Sequence, residues 1–342
     1  MQVIAEKLNI SVATVSRALA RIPTISPKTR AKVMQAAAEV GYSLPKNFRT
    51  RAIESGRVFQ QIGVLIETPQ TNLPAPYLTG LSEAALNLNA SLVIHYARPE
   101  NAANILKHEF QPPAMQSGLL SGLIFIFRWP TDVVRELTRR MPTVSITHEY
   151  PGVEQDLVGI DNHRGIQMLV RHLHDLGHRK IGFLGGCSEL HWANIRFGAY
   201  VAALKGVGAE YRPEWVIDAD MDALLDLRMS WDQYTAQVEQ LVKEEGVRAW
   251  ISVSEPVGQR LYAWLTAHGL RVPEDVSLTG FHRPDFVAPA EPRLTSVAAS
   301  YEALGAAALK RLLYRIQNPA ESMRTILFPC EIFKGKSTGL CS

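Results

Sequence analysis

From Gln61 onward the chain repeats one pattern, in which short continuous apolar runs alternate with amphipathic stretches of helical length. The runs are IGVLIE (62–67), SLVIHY (91–96), GLIFIF (122–127), TVSIT (143–147), KIGFLG (180–185), AWISVS (249–254) and VSLTG (276–280). The amphipathic stretches fall near 77–89, 131–140, 163–176, 194–206, 232–245, 256–268 and 301–316. A strand that is apolar on both faces must be covered on both faces, and alternating helices supply those two layers, so the pattern predicts parallel α/β sheets. About 280 residues exceed what one hydrophobic core usually holds, and two lobes are expected.

The first 58 residues are built differently. Lys7, Arg17, Arg21, Lys28, Arg30, Lys32, Lys46, Arg49, Arg51 and Arg57 stand against Glu6, Glu39 and Glu54, a net +7, whereas the rest of the chain carries −4 of the overall +3. A small basic module on a mildly acidic body suits one part that meets a polyanion and another that must not adhere to it. With 46% hydrophobic and 20% charged side chains among 342, the composition is that of a folded soluble protein and excludes a collagen-like or largely disordered one. Cys187, Cys330 and Cys341 are too few for a disulfide framework and suit a reducing compartment. No basic leader precedes an apolar segment at MQVIAEKLN, and no run approaches the roughly 18 apolar residues of a membrane span, so a cytoplasmic protein is expected.

Within the basic module, Ile4, Ala5 and Leu8, then Val12, Val15 and Leu19, recur at helical spacing with a break at Asn9-Ile10-Ser11. Asn9 can adopt a turn conformation and Ser11 can cap a helix begun at Val12, so the spacing predicts a helix, a tight turn and a second helix. Ala13, Thr14, Ser16 and Arg17 lie off the apolar stripe, with Val12 at its start, which leaves small and polar side chains able to approach base edges in a major groove. Ser26-Pro27 opens a third helix and Gly41 ends it, with Val33, Ala36, Ala37 and Val40 closing a small core. Taken alone, these three helices fit a generic helical cap equally well.

Catalytic and phosphate-binding motifs do not emerge from the body. No GxxxxGK precedes a Ser or Thr in a P-loop, and Gly182, Gly185 and Gly186 lack the GxGxxG spacing. No serine stands in a GxSxG elbow, and Cys187, beside a Gly-Gly turn, reads as a buried small residue. His172 and His174 would point about 200° apart on a helix, and with His178 they lack a Cys, Asp or Glu at metal-ligand spacing, so neither a metal nor another cofactor is expected.

The stretches ISVATVSRALA and ISPKTRAKVMQAAAEVGY resemble the DNA-binding headpiece of the lactose-repressor family of bacterial transcription regulators, and the likeness runs through nearly the whole chain. Its further anchors are GIDNHRGIQMLVRHLHDLGHRKIGFLGG (159–186), HGLRVPEDVSLTGF (268–281) and PRLTSV (292–297). The resemblance implies an all-α helix-turn-helix headpiece at 1–45, a hinge segment at 46–58 and an α/β two-lobed, periplasmic-binding-protein-like body at 59–342 that binds effector and dimerises. The helix opening at Ser11 would be the recognition helix, with Val12 and Ala13 on base-reading positions and Thr14, Ser16 and Arg17 on backbone or bases. In the hinge, Arg49 and Arg51 are expected to meet phosphates. A family leucine that kinks the duplex from the minor groove has no leucine counterpart: counting back from Gly56 puts Ile53 in its place, and counting forward from Pro45 puts Ala52.

For the body, the resemblance implies a small-molecule cleft between the lobes at the carboxyl ends of the strands. Arg196 matches an arginine that reaches the ligand, and Ser254-Glu255 occupies the place of a common Asn-Asp pair. His282, with Arg283 beside it, replaces an aspartate that receives sugar hydroxyls. That exchange shifts the expected effector from a plain sugar toward a sugar-derived acid or another anion. Trp192, Trp231 and Phe281 are candidates to stack on a ring, and for Trp231 an ordinary core position is equally expected. The resemblance implies a homodimeric, ligand-responsive regulator, most often a repressor, on a pseudo-palindromic double-stranded DNA operator. Nothing after Ile332 resembles a tetramerising heptad repeat. Two other classes stay open, a small-molecule sensor without specific DNA binding and an enzyme acting in the interlobe cleft.

Overall fold

All seven continuous apolar runs are strands, and they lie in two six-stranded sheets. The computed structural model describes residues 2–8, 10–12, 14–15, 29, 32–33, 36, 60–67, 75–225, 229–281 and 293–341. Its strands are β1 (Gln60–Glu67), β2 (Ala90–Ala97), β3 (Leu120–Ile126), β4 (Thr143–Ile146), β5 (Asp156–Ile160), β6 (Ile181–Gly186), β7 (Val216–Asp218), β8 (Ala249–Ser252), β9 (Ser277–Phe281), β10 (Thr295–Ala298), β11 (Thr325–Phe328) and β12 (Glu331–Phe333). The longer helices are α1 (Gln2–Leu8), α2 (Ala75–Asn87), α3 (Thr131–Arg140), α4 (Asn162–Asp175), α5 (His191–Val207), α6 (Asp232–Glu245), α7 (Glu255–Ala267) and α8 (Tyr301–Gln317). The chain divides into two units, Met1–Phe59 and Gln60–Ser342.

In the larger unit, the first lobe has the strand order β11-β5-β4-β3-β1-β2, all parallel. The second has β12-β10-β9-β8-β6-β7, with β12 antiparallel to β10. Burial on both faces explains the continuous runs: Val64 and Ile66 of β1 face the main core, while Leu65 between them joins Phe125, Trp129 and Tyr150 on the other side. Five strands escaped the sequence pattern. β5, β7, β10, β11 and β12 have three to five residues each, and β11 alternates exposed and half-buried positions, so none makes an unbroken apolar run.

The chain crosses between the lobes three times, after β5, β10 and β11. Two crossings start a capped helix: Asp161 accepts the Arg164 N–H at 2.9 Å to begin α4, and Ser300 Oγ accepts the Ala303 N–H at 3.1 Å to begin α8. Although α8 follows a second-lobe strand, it packs on α2 of the first lobe. Glycines permit that approach, because a Cβ at Gly80 would collide with the Glu302 carbonyl and one at Gly305 with that of Tyr77. Gly305→Leu is therefore expected to lower stability by roughly 1–3 kcal/mol through overpacking. Gly206→Ala, with no atom within 4 Å of the added methyl, should instead gain up to about 1 kcal/mol of helix propensity. Paired urea melts check both signs.

The three histidines of 172–178 do not converge on a common point. His172 Nε2 meets Thr338 Oγ1 at 2.9 Å, and His178 Nε2 meets Ser277 Oγ at 3.0 Å and the Gly339 carbonyl at 3.1 Å, so both fasten the carboxyl-terminal segment to the second lobe. In the smaller unit, Ile4 and Ala5 of α1 pack with Val15, Val33 and Ala36, which are buried as their spacing predicts.

Candidate functional site

In the smaller unit, Ser11 caps the helix that carries Val12, Thr14 and Val15. Its Oγ accepts the Thr14 N–H at 3.0 Å and lies 2.8 Å from Thr14 Oγ1. Val12 leaves the apolar stripe and is 44% exposed, because it falls in the first turn ahead of the buried Val15. Ala13, Ser16, Arg17, Arg49, Arg51 and Ile53 lie outside the described residues.

In the larger unit, the carboxyl ends of the strands in both lobes face the crossings, and Arg196 of α5 is the centre of what gathers there. Its Nε donates to Asn162 Oδ1 at 2.9 Å and one terminal nitrogen to the Val253 carbonyl at 2.7 Å. The guanidinium also lies 3.7 Å from the Phe281 ring centroid and 4.9 Å from that of Trp192. Burial pulls its pKa down to about 9, still above neutrality, so the charge persists. Ser254 is half-buried beside Val253. Glu255 is buried against β9, where a Cβ on Gly280 would collide with its Oε2.

Arg196, Ser254, Glu255 and Phe281 thus lie near one another, whereas Trp231 belongs to the core of the second lobe. Its Nε1 donates to the Ala223 carbonyl at 3.1 Å, Tyr234 packs at 5.1 Å, and the Arg260 guanidinium stands 5.6 Å from its ring centre. An indole held this way is a packing residue. His282 and Arg283 lie outside the described residues. Arg196 spends hydrogen bonds on Asn162 and Val253, so the expected preference for an anion rests on those two positions.

On the first lobe, Glu67, Tyr77, Phe127, Arg128, Thr147 and His148, at or near the carboxyl ends of β1, β3 and β4, were not singled out in the sequence. Tyr77 packs at 6.3 Å from Phe127 and 5.0 Å from Tyr301. Phe127 and Thr147 have φ of 65° and 62°, left-handed values that are uncommon for non-glycine residues and turn the chain sharply at the ends of β3 and β4. Burial, reinforced by Arg128 and His191, brings the His148 pKa down to about 4, so its imidazole is neutral at physiological pH. The lobes touch where Glu149 Oε2 meets His191 Nε2 at 2.8 Å and Arg128 reaches Met221 Sδ at 3.0 Å. Among the described residues no three His, Cys, Asp or Glu side chains are placed to hold a metal ion, and no helix is long and apolar enough to cross a membrane.

Comparison with known proteins agrees with this architecture. Residues 1–44 match the model for bacterial regulatory proteins of the lacI family, and residues 170–338 match that for a periplasmic binding protein-like domain. The chain is 26% identical over 343 positions to the HTH-type transcriptional repressor CytR of Escherichia coli (strain K12), covering 99% of this chain and 96% of that protein. A transcriptional regulator CelR–cellobiose complex superposes with a TM-score of 0.66 at 22% identity, over 98% of both chains. The Lac repressor dimer bound to operator and the anti-inducer ONPF gives 0.65 at 23%, again over 98% of both. With both ends of the chain matched in the order the fold requires, this protein joins a DNA-binding domain of the lacI type to a periplasmic binding protein-like domain.

Proposed function

We propose that the chain is a ligand-responsive transcriptional repressor that binds an operator as a homodimer and changes its grip when a small molecule occupies the interlobe cleft. The observation that carries this reading is the joining of a basic helix-turn-helix module to a two-lobed body whose crossings converge on one buried arginine. CytR is named a transcriptional repressor, CelR is in complex with cellobiose, and the Lac repressor is a dimer on operator, and all three align over nearly the full chain.

In this reading residues 1–45 read DNA through Ser11, Val12, Ala13, Thr14, Ser16 and Arg17. Residues 46–58 form the hinge, with Arg49 and Arg51 on phosphates and Ile53 toward the minor groove, and 59–342 bind effector and partner subunit. Arg196, Ser254, Glu255, His282 and Arg283 form the second-lobe side of the effector site. The protein works in the cytoplasm, by binding and not by turnover. Burial pushes the Cys330 thiol up to about 11, the reverse of an activated nucleophile.

Two half-sites one helical turn apart require two headpieces held by the bodies, so sedimentation equilibrium of the full chain should give twice 38.0 kDa. Disrupting the gene should raise transcription from the promoters the protein occupies. A monomer at micromolar concentration, or unchanged transcription at every occupied promoter, would contradict the reading.

A further inference from the structure

Away from the cleft, the second lobe gathers cations at the other end of its sheet. Arg293 precedes β10, and Lys334 and Lys336 follow β12, which runs antiparallel to β10, so all three stand at the amino end of β10. Together with Gly335 they line a cavity of about 190 Å³. The backbone fixes their arrangement. The Lys336 N–H donates to the Arg293 carbonyl at 3.0 Å, the Gly335 N–H to Thr295 Oγ1 at 3.1 Å and the Thr295 N–H to Ser337 Oγ at 2.8 Å. Gly335 permits this approach, because a Cβ there would collide with the Arg293 carbonyl. Ser337 is fully buried, so the segment is anchored while its two lysines stay exposed.

What the three cations lack is a counter-charge. Among the described residues no carboxylate pairs with Arg293, Lys334 or Lys336, and no acceptor takes a hydrogen bond from their side chains. Glu331 stands opposite Ala298 on β12 and joins none of them. His172, which feels the Lys334 charge, is held below its ordinary pKa by burial and then by that lysine, and so supplies no anion. Like charges facing each other across an antiparallel pair repel, and here the Lys336 N–H bond to Arg293 sets two of them across the continuation of the β10–β12 ladder. The cluster is also out of character with a body that carries −4 overall.

We propose that Arg293, Lys334 and Lys336 form a second ligand site, outside the interlobe cleft, that takes a diphosphate group, either free or at the end of an ester. A lone carboxylate is satisfied by the arginine fork and would leave both ammoniums idle. A diphosphate presents oxygens on two phosphorus centres, so the planar guanidinium can take one and the two ammoniums, each a point charge with three donors, the other. The site lies at the opposite end of the second sheet from the strand ends that carry Arg196 and its partners, so it can fill whether or not the cleft is occupied. It stands independently of the regulator reading.

The test titrates the full-length chain calorimetrically with pyrophosphate, ADP, citrate and acetate, in metal-free buffer at one fixed ionic strength, because exposed charges are screened by salt. The basic first 58 residues can also hold polyanions, so hydrogen exchange is followed alongside to locate the binding. Pyrophosphate should bind about tenfold or more tightly than citrate and slow exchange in 293–298 and 331–338. Lys334→Gln and Lys336→Gln should each weaken it by about tenfold, and Lys336→Arg should keep most of the affinity. Without pyrophosphate both glutamine variants should melt at or above the wild-type temperature, since each removes one of three like charges, whereas a lysine with only a structural role would lower the melt. ADP binding as tightly as pyrophosphate supports a diphosphate carried on an ester, and much weaker ADP supports the free anion. Pyrophosphate affinity unchanged in both glutamine variants, protection confined to residues 1–58, citrate or acetate bound as tightly, or no binding at millimolar pyrophosphate overturns the proposal.

Discussion

Removal of residues 1–58 is expected to abolish specific duplex binding while effector binding by the body persists. The deleted segment carries the helix-turn-helix match and a net charge of +7, whereas the remaining chain carries −4 and keeps both sheets and their crossings. Specific operator binding commonly exceeds nonspecific binding by about 10³-fold or more, and a body of net negative charge should not retain even the nonspecific part. Fluorescence anisotropy on labelled duplexes, repeated at several salt concentrations, measures the loss. Unchanged operator affinity in the deletion would refute the headpiece assignment. In the intact chain, Arg17→Ala and Thr14→Ala should weaken binding without unfolding the body, and loss of a phosphate contact should also reduce the salt slope by about one.

The largest stability effect should come from Asp156, at the start of β5. Its side chain is fully buried and takes hydrogen bonds from Arg315 Nε at 2.9 Å, Arg311 at 3.0 Å and the Arg324 N–H at 2.7 Å, tying the end of α8 and the segment before β11 to the first sheet. Asp156→Ala leaves the two guanidiniums without their shared carboxylate, and breaking a buried pair in this way costs about 3–5 kcal/mol. Burial pushes the Asp156 pKa up, but the Arg315 and Arg311 hydrogen bonds outweigh it and hold it below the ordinary carboxylate range. A depressed folded-state pKa contributes stability that is present above the unfolded value near 3.8 and is lost as the pH falls through the folded one. Urea denaturation of wild type and Asp156→Ala should therefore differ most near neutrality and converge in strong acid. A difference independent of pH would show that packing, and not the ion pairs, carries the effect.

How much of this was legible in the sequence depends on which physical effects leave a periodic trace. Residues such as Val64, Leu65 and Ile66, apolar on consecutive positions because both faces of β1 are covered, announce themselves, and so do α4 and α6 through their amphipathic spacing. Asp156 does the opposite: a charged residue opens β5, and only the tertiary partners Arg311 and Arg315, more than 150 positions away, make it a buried one. Trp231 was ambiguous because an indole serves a core and a ligand equally well, and its bond to Ala223 decides for the core. Arg196 was singled out by the family resemblance, and its bonds to Asn162 and Val253 are tertiary. Glu67, Phe127 and Thr147 were missed because each closes an apolar run and reads there as one more strand residue, and a buried carboxylate at a strand end or a left-handed φ has no sequence period. The only trace they leave is their place at the carboxyl end of an apolar run, where parallel sheets put their ligands.

The central claim is that the basic module reads duplex DNA at specific sites. Footprinting of the purified full-length chain on fragments of its own genome, in the presence of excess nonspecific competitor and at several salt concentrations, tests it most directly. The account predicts protected pseudo-palindromes whose half-sites lie about one helical turn apart, with an affinity that falls as salt rises and a slope reporting several phosphate contacts per dimer. Protection no stronger at any fragment than on competitor DNA would contradict it.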